Sequence, residues 1–118
     1  MNYKEKVPSP ESLSKFEEVY EIVKLIPYGR VCSYGAISEY LWSKRAARLV
    51  GWALNASHCR EDVPAHRVVN RNGLLSGKHH FETSDTMQSR LEAEGIVVEN
   101  NQIKNFNTYF WNPTDELL

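Results

Sequence analysis

Long apolar runs are missing from this chain, and so is the residue usage of a disulfide scaffold or a zinc finger. No stretch of about 18 or more apolar residues occurs, so no segment reads as a membrane-spanning helix. The opening Met1-Asn2-Tyr3-Lys4-Glu5-Lys6 lacks the apolar segment of a signal peptide, and a cytoplasmic protein is expected, nucleoid-associated if bacterial. Cys32 and Cys59 are too few for a disulfide framework. His58-Cys59 and His79-His80 match no zinc spacing, and no Cys-x-x-Cys is present, so neither a metal nor a cofactor is expected. Repeats and low-complexity tracts are absent too. A net charge of −1 excludes a protein that coats nucleic acid through bulk positive charge.

What is present is an ordinary globular composition, 42% hydrophobic and 25% charged over 118 residues. It suits one domain spanning 1–118, with 1–10 and 114–118 loose. Charge is unevenly placed. Lys44, Arg45, Arg48, Arg60, Arg67, Arg71 and Lys78 crowd the middle, where the acids are Glu61, Asp62 and Glu82. Acids dominate elsewhere, with Glu11, Glu17, Glu18 and Glu21 early and Glu92, Glu94, Glu99, Asp115 and Glu116 late. Such a basic band suits a phosphate backbone, although solvated surface charge gives the same pattern.

From Ser12 onward, Phe16, Val19, Tyr20, Val23 and Ile26 follow helical spacing, opposite Glu17, Glu18 and Glu21. Pro27-Tyr28-Gly29 ends that helix. Arg30-Val31-Cys32 is extended, and Ser33 caps a helix carrying Ala36, Ile37, Tyr40 and Leu41. A polar turn at Ser43-Lys44-Arg45 leads to a third helix from Ala46 to about Ala56, and the pair reads as a helix-turn-helix. Val68-Val69 is expected to return as Leu74-Leu75 across Asn70-Arg71-Asn72-Gly73. Thr83-Ser84 should cap a helix from Asp85 to Glu94 that Gly95 stops. Ile96-Val97-Val98 and Ile103 to Phe106 should form a hairpin across Asn100-Asn101. The fold class expected is mainly α with short β-hairpins, a winged helix-turn-helix-like domain.

Val63-Pro64-Ala65-His66-Arg67-Val68-Val69 has the frame of a catalytic segment without a nucleophile. Proline fixes the backbone, His66 is a general-base candidate, and Arg67 is permanently charged. Ala65 can neither attack nor be attacked. By itself, a Pro-x-His-Arg run reads as a turn.

Its surroundings give it more meaning. Pro64-Ala65-His66-Arg67-Val68 resembles the Pro-Cys-His-Arg-Val motif of the O6-alkylguanine-DNA alkyltransferases. Ile26-Pro27-Tyr28-Gly29-Arg30-Val31-Cys32-Ser33-Tyr34-Gly35-Ala36-Ile37 resembles the segment leading into that family's helix pair, and Ala46-Ala47-Arg48-Leu49-Val50-Gly51-Trp52-Ala53-Leu54 its recognition helix. The interval from Arg48 to Ala65 equals the family's spacing from intercalating arginine to reactive cysteine. Arg90-Leu91-Glu92-Ala93-Glu94-Gly95 matches the closing helix. The ending Tyr109-Phe110-Trp111-Asn112-Pro113 is similar to that of the alkyltransferase-like branch, and the resemblance covers roughly residues 12 to 113.

Direct transfer of an alkyl group from guanine O6 needs a thiolate, a histidine to service its proton and a carboxylate to orient that histidine. The resemblance implies that His66 and Glu94 hold the last two places as vestiges and that Ala65 stands where the sulfur should be. Neither Cys32 nor Cys59 matches the reactive position, so no catalytic residue and no enzymatic activity are expected. It further implies a minor-groove DNA surface of Ser33, Tyr34, Lys44, Arg45, Ala47, Arg48, Gly51 and Arg67. Arg48 would fill the vacated stack and Tyr34 would drive the target phosphate to rotate. The implied lesion pocket comprises Tyr34, Ser57, Pro64, Ala65, Val68 and Lys78, with Ala65 leaving room for substituents larger than methyl. Ser57 and Lys78 depart from the asparagine and tyrosine of the alkyltransferases. Trp52, which either packs in the core or contacts a base, is expected to pack, and Trp111 to act as a hydrophobic clasp.

The function these implications describe is a non-enzymatic monomer that binds and flips O6-alkylguanine in double-stranded DNA and flags it for nucleotide excision repair proteins. Two other readings stay open: a methylated-DNA–cysteine methyltransferase inactivated by a Cys-to-Ala replacement, and a general helix-turn-helix regulator. The short N-terminus and the Phe110-Trp111-Asn112-Pro113 ending argue against the first.

Overall fold

Proline cannot donate a backbone hydrogen bond, so Pro10 opens the first helix where no donor is needed. The computed structural model describes residues 10–57 and 60–117. Helix α1, Pro10–Val23, buries Phe16, Val19, Tyr20 and Val23 and exposes Glu17, Glu18 and Glu21. It starts two residues earlier than its apolar period indicates. Of the arm expected over 1–10, Pro10 is therefore helical, and residues 1–9 lie outside the described residues. Ile26 is 1% exposed, and Gly29 takes φ +81°, a left-handed turn that reverses the chain.

Strand β1, Cys32–Ser33, leads directly into α2, Tyr34–Leu41, and the Ser33 hydroxyl accepts a hydrogen bond from the Ala36 amide as the cap. A 3-10 turn, Lys44–Ala46, joins α2 to α3, Ala47–Asn55. Tyr20 ties α1 to α3 by donating its phenol to the Ala53 carbonyl at 2.7 Å.

A second 3-10 turn, Ala65–Arg67, runs into strand β2, Val68–Val69, which pairs in parallel with β1 in the register Cys32↔Val68 and Ser33↔Val69. This pairing sets the start of α2 beside the Ala65 turn. The hairpin expected between Val68-Val69 and Leu74-Leu75 does not form. Asn70 accepts the amides of Asn72 and Leu74 through its side chain and that of Gly73 through its carbonyl, and Leu74 goes on to bridge Gln102.

Helix α4, Thr86–Ala93, ends in a Schellman turn: Gly95 (φ +86°) donates to the Glu92 carbonyl and Ile96 to that of Leu91. Strands β3, Val98–Glu99, and β4, Gln102–Ile103, are antiparallel across Asn100 and Asn101. Both asparagines have positive φ, 52° and 62°, as a two-residue type I′ turn requires. Short helices α5, Phe106–Tyr109, and α6, Pro113–Glu116, follow, so 114–116 are helical where a loose end was expected. Val31 bridges Phe110, and Trp111, 5% exposed, closes over the α1–α3 side as the clasp.

Two hydrophobic clusters result. One gathers under α1–α3 and includes Cys32, Ile37, Val50 and Val68; the other gathers under α4 and the hairpin and includes Val31, Val69, Met87 and Leu91. The fold is mainly α with a helix-turn-helix and one small hairpin, as its sequence indicates. Among the described residues no helix is long and apolar enough to cross a membrane.

Replacing Tyr20 by Phe removes the donor that joins α1 to α3 and leaves a carbonyl less satisfied in a buried place. We expect a loss of about 1–2 kcal/mol in urea unfolding, with an unchanged denaturant slope.

Candidate functional site

Glu94 is the C-cap of α4, within the Schellman turn that stops it, and the fold brings this carboxylate to the Ala65–Arg67 turn. The Glu94 side chain is 5% exposed. Its Oε2 lies 2.6 Å from His66 Nε2, its Oε1 accepts the Gly29 amide at 2.7 Å, and Arg67 Nε donates to both oxygens at 3.0 Å. Arg67 also donates to the Ile26 carbonyl at 2.9 Å and lies over the Tyr28 ring. Burial alone would raise the Glu94 pKa, but these three donors outweigh it and hold the carboxylate below its ordinary value of 4.5.

His66 is shifted down from 6.5, chiefly by burial, which outweighs the attraction of Glu94. An ionised Glu94 can only accept, so neutral His66 donates from Nε2 and keeps Nδ1 as a bare acceptor. That nitrogen is buried and has no hydrogen-bond partner. The lone pair of a general base is thus in place, while position 65 offers only a methyl group.

Ala65 lines a cavity of about 20 Å³, walled also by Tyr34, Gly51, Leu54, Asn55, Val68, Gly77, His80, Phe81 and Met87. This is room for little more than one water. The space expected beside Ala65 is therefore almost shut, because the 77–81 segment and Met87 close over it. Tyr34 lies against this segment. A Cβ at Gly77 would come within 2.7 Å of its hydroxyl oxygen, so only glycine leaves the phenol its seat. A larger, shallow depression of about 620 Å³ lies elsewhere, along Arg71, Asn72 and Phe106, and shares none of these residues.

Of the expected pocket residues, Tyr34, Ala65 and Val68 line the cavity, whereas Ser57, Pro64 and Lys78 do not. Ser57 is buried and spends its hydroxyl on the Leu54 carbonyl at 2.7 Å. Lys78 begins a 3-10 turn, Lys78–His80, beside the rim. Sequence reasoning misses Leu54, Asn55, Gly77, His80, Phe81 and Met87, which lie late in α3, at the start of α4, or in a stretch with no motif to mark it.

Of the expected DNA surface, Lys44, Arg45 and Arg48 are exposed along the turn into α3, with Ala47 and Gly51 half-buried. Lys44 lies 3.6 Å from Glu39; among the described residues Arg45 and Arg48 pair with no carboxylate. Ser33 is buried, its hydroxyl spent on the α2 cap. Arg67 belongs inside, bound to Glu94, and is no free cation for a phosphate. Trp52, expected in the core, is 59% exposed.

Cys32 is fully buried, which pushes its thiol up to about 12 and leaves it inert. His58 and Cys59 lie outside the described residues. Among the described residues, no group of three His, Cys, Asp or Glu side chains could hold a metal ion.

Residues 14–96 match the family of the 6-O-methylguanine DNA methyltransferase DNA binding domain. Alkyltransferase-like protein 1 of Schizosaccharomyces pombe is 34% identical over 102 residues, which cover 83% of this chain and 94% of that protein. The DNA base-flipping protein of Escherichia coli is 36% identical over 117 residues, covering 94% of this chain and 88% of that protein. A crystal structure of the S. pombe alkyltransferase-like protein in complex with damaged DNA containing O6-carboxymethylguanine superposes with a TM-score of 0.74 at 34% identity, over 91% of this chain and all of that one.

The two depressed pKa values act on stability in one direction. Below 6.5 for His66 and 4.5 for Glu94, the unfolded chain binds protons that the folded site resists. Stability from this cluster is therefore full above 6.5 and drains away as pH falls through the folded values. Melting temperature should drop between about pH 7 and about pH 5, and His66→Gln should flatten the upper part of that decline. A wild-type melting temperature constant over the interval would contradict it.

Proposed function

The chain belongs to the family of the 6-O-methylguanine DNA methyltransferase DNA-binding domain, in likeness to its alkyltransferase-like members, and on that footing we propose that it is a non-enzymatic sensor of O6-alkylguanine in duplex DNA. The observation that carries this reading is Ala65 at the wall of the cavity, beside an intact His66–Glu94 pair and with no reactive thiol in its place. Without that sulfur there is nothing to accept the alkyl group, so binding is the whole of its action. α3 meets the minor groove, Arg48 takes the place of the extruded nucleotide, and the base enters beside Ala65 once the 77–81 segment has moved. Extrusion costs a few kcal/mol. A planar, always charged guanidinium suits the emptied stack because its donors reach the orphaned partner base. Lys78, at the rim, faces the altered charge of an alkylated guanine. On this reading the protein acts as a cytoplasmic monomer and hands the marked site to nucleotide excision repair.

Glycine supports the same reading. Gly51 sits inside α3, where glycine costs about 1 kcal/mol against alanine, yet a Cβ there would meet nothing within 4 Å. No contact in the fold requires glycine; a DNA backbone brought close to the helix does.

Matched duplexes containing guanine, O6-methylguanine or a bulkier O6 adduct test the proposal. We expect preference for both lesions over guanine and no methyl-sized mass gain on the protein after incubation. A mass gain, or equal affinity for plain and alkylated duplexes, would overturn it. Arg48→Ala should weaken lesion binding much more than Lys44→Ala, whose ammonium is held only by an exposed pair with Glu39.

Gly51→Ala should raise the stability of the free protein by up to about 1 kcal/mol and weaken its grip on the lesion duplex. A variant that gains in both measurements would remove DNA approach as the reason for the glycine.

A further inference from the structure

Trp52 stands in water on the helix assigned to DNA. It is 59% exposed, whereas Trp111 is 5% exposed and Trp42 is partly covered, with the Lys15 ammonium 5.2 Å from its ring. A solvated indole forgoes the largest apolar burial any side chain offers, and single exposed tryptophans concentrate at contact surfaces.

Helix geometry says where this side chain points. Successive residues of a helix turn by about 100° and rise about 1.5 Å. Around α3 the order is therefore Leu54, Gly51 and Asn55, which line the cavity, then Arg48, then Trp52. Trp52 lies about 40° past Arg48 and about 6 Å further along the axis, on the side away from the cavity. α3 carries no acidic residue, and the cations at its start, Arg45 and Arg48, pair with no carboxylate among the described residues. Such a face attracts a polyanion.

We infer that Trp52 packs in the minor groove against the strand opposite the extruded nucleotide, and so makes lesion binding depend on an intact duplex partner strand. This rests on the lesion-sensor reading. With Arg48 in the emptied stack, the flipped nucleotide lies on the cavity side and the partner strand on the other, where Trp52 stands. The indole supplies an apolar face to deoxyribose C–H groups and one N–H donor for the acceptors on the groove floor.

Acrylamide quenching of the full chain, with Trp52→Phe to identify the emission concerned, tests the contact directly. The component missing from that variant should become inaccessible when a duplex carrying O6-methylguanine is added. Trp52→Ala should bind this duplex roughly tenfold more weakly, in line with the loss of an aromatic contact to nucleic acid. That difference should vanish on a gapped duplex lacking the partner-strand nucleotides opposite the lesion. Emission that stays open to acrylamide in the saturated complex, or a tenfold loss that persists on the gapped duplex, would overturn the inference while leaving lesion binding intact. Failure of the wild-type protein to bind the alkylated duplex at all would overturn the sensor reading and this inference with it.

Discussion

A single buried carboxylate joins three stretches of chain that are far apart in sequence. Glu94 takes one donor from the turn at Gly29 and two side chains from the 65–67 turn, and it sits at the end of α4. A charge removed from water is costly unless it is fully hydrogen-bonded, and leaving it unpaired costs several kcal/mol. The three segments are therefore held in one arrangement, and with them the position of Ala65. His66 and Glu94 look like the remains of a catalytic relay, but here they are architecture: removing the nucleophile does not release them, because Arg67 and Gly29 depend on the same oxygens.

Much of the fold is legible in the residues, because local chemistry decides it. Ser33 caps α2, Gly95 closes α4, and Asn100-Asn101 supplies a tight turn, each through an atom or dihedral angle that its neighbours cannot provide. The parallel pairing of β1 with β2 is not legible, since strands of two residues have no period and their partners are distant. Arg67 is misread from sequence for a related reason. A cation near a basic band looks like a phosphate ligand until Glu94, far along the chain, is folded against it. Trp52 misleads in the opposite sense, because hydrophobicity indicates burial and says nothing about whether the covering surface belongs to the same molecule.

The cavity wall shows the same limit. Ala65, Val68 and Tyr34 come from segments whose motifs identify them. Gly77, His80 and Phe81 come from a 3-10 turn and its flanks, with no periodicity and no distinctive spacing. Only the fit of the Tyr34 hydroxyl against Gly77 reveals why that stretch must lie where it does. Local rules are broken chiefly along α3, where Gly51 weakens the helix beside the cavity and Trp52 is left bare on the side away from it. Both departures cost the isolated protein stability and make sense once a second molecule is present.

Within β2, adjacent valines face opposite ways: Val68 belongs to the cluster under α1–α3 and Val69 to the cluster under α4, and Val31 and Cys32 divide likewise. The small parallel sheet is thus a partition wall, and the cavity opens along its edge, between Leu54 on one side and Met87 on the other. The cavity therefore sits at the boundary between the two clusters, with Leu54 drawn from one and Met87 from the other, so its wall belongs to neither interior alone.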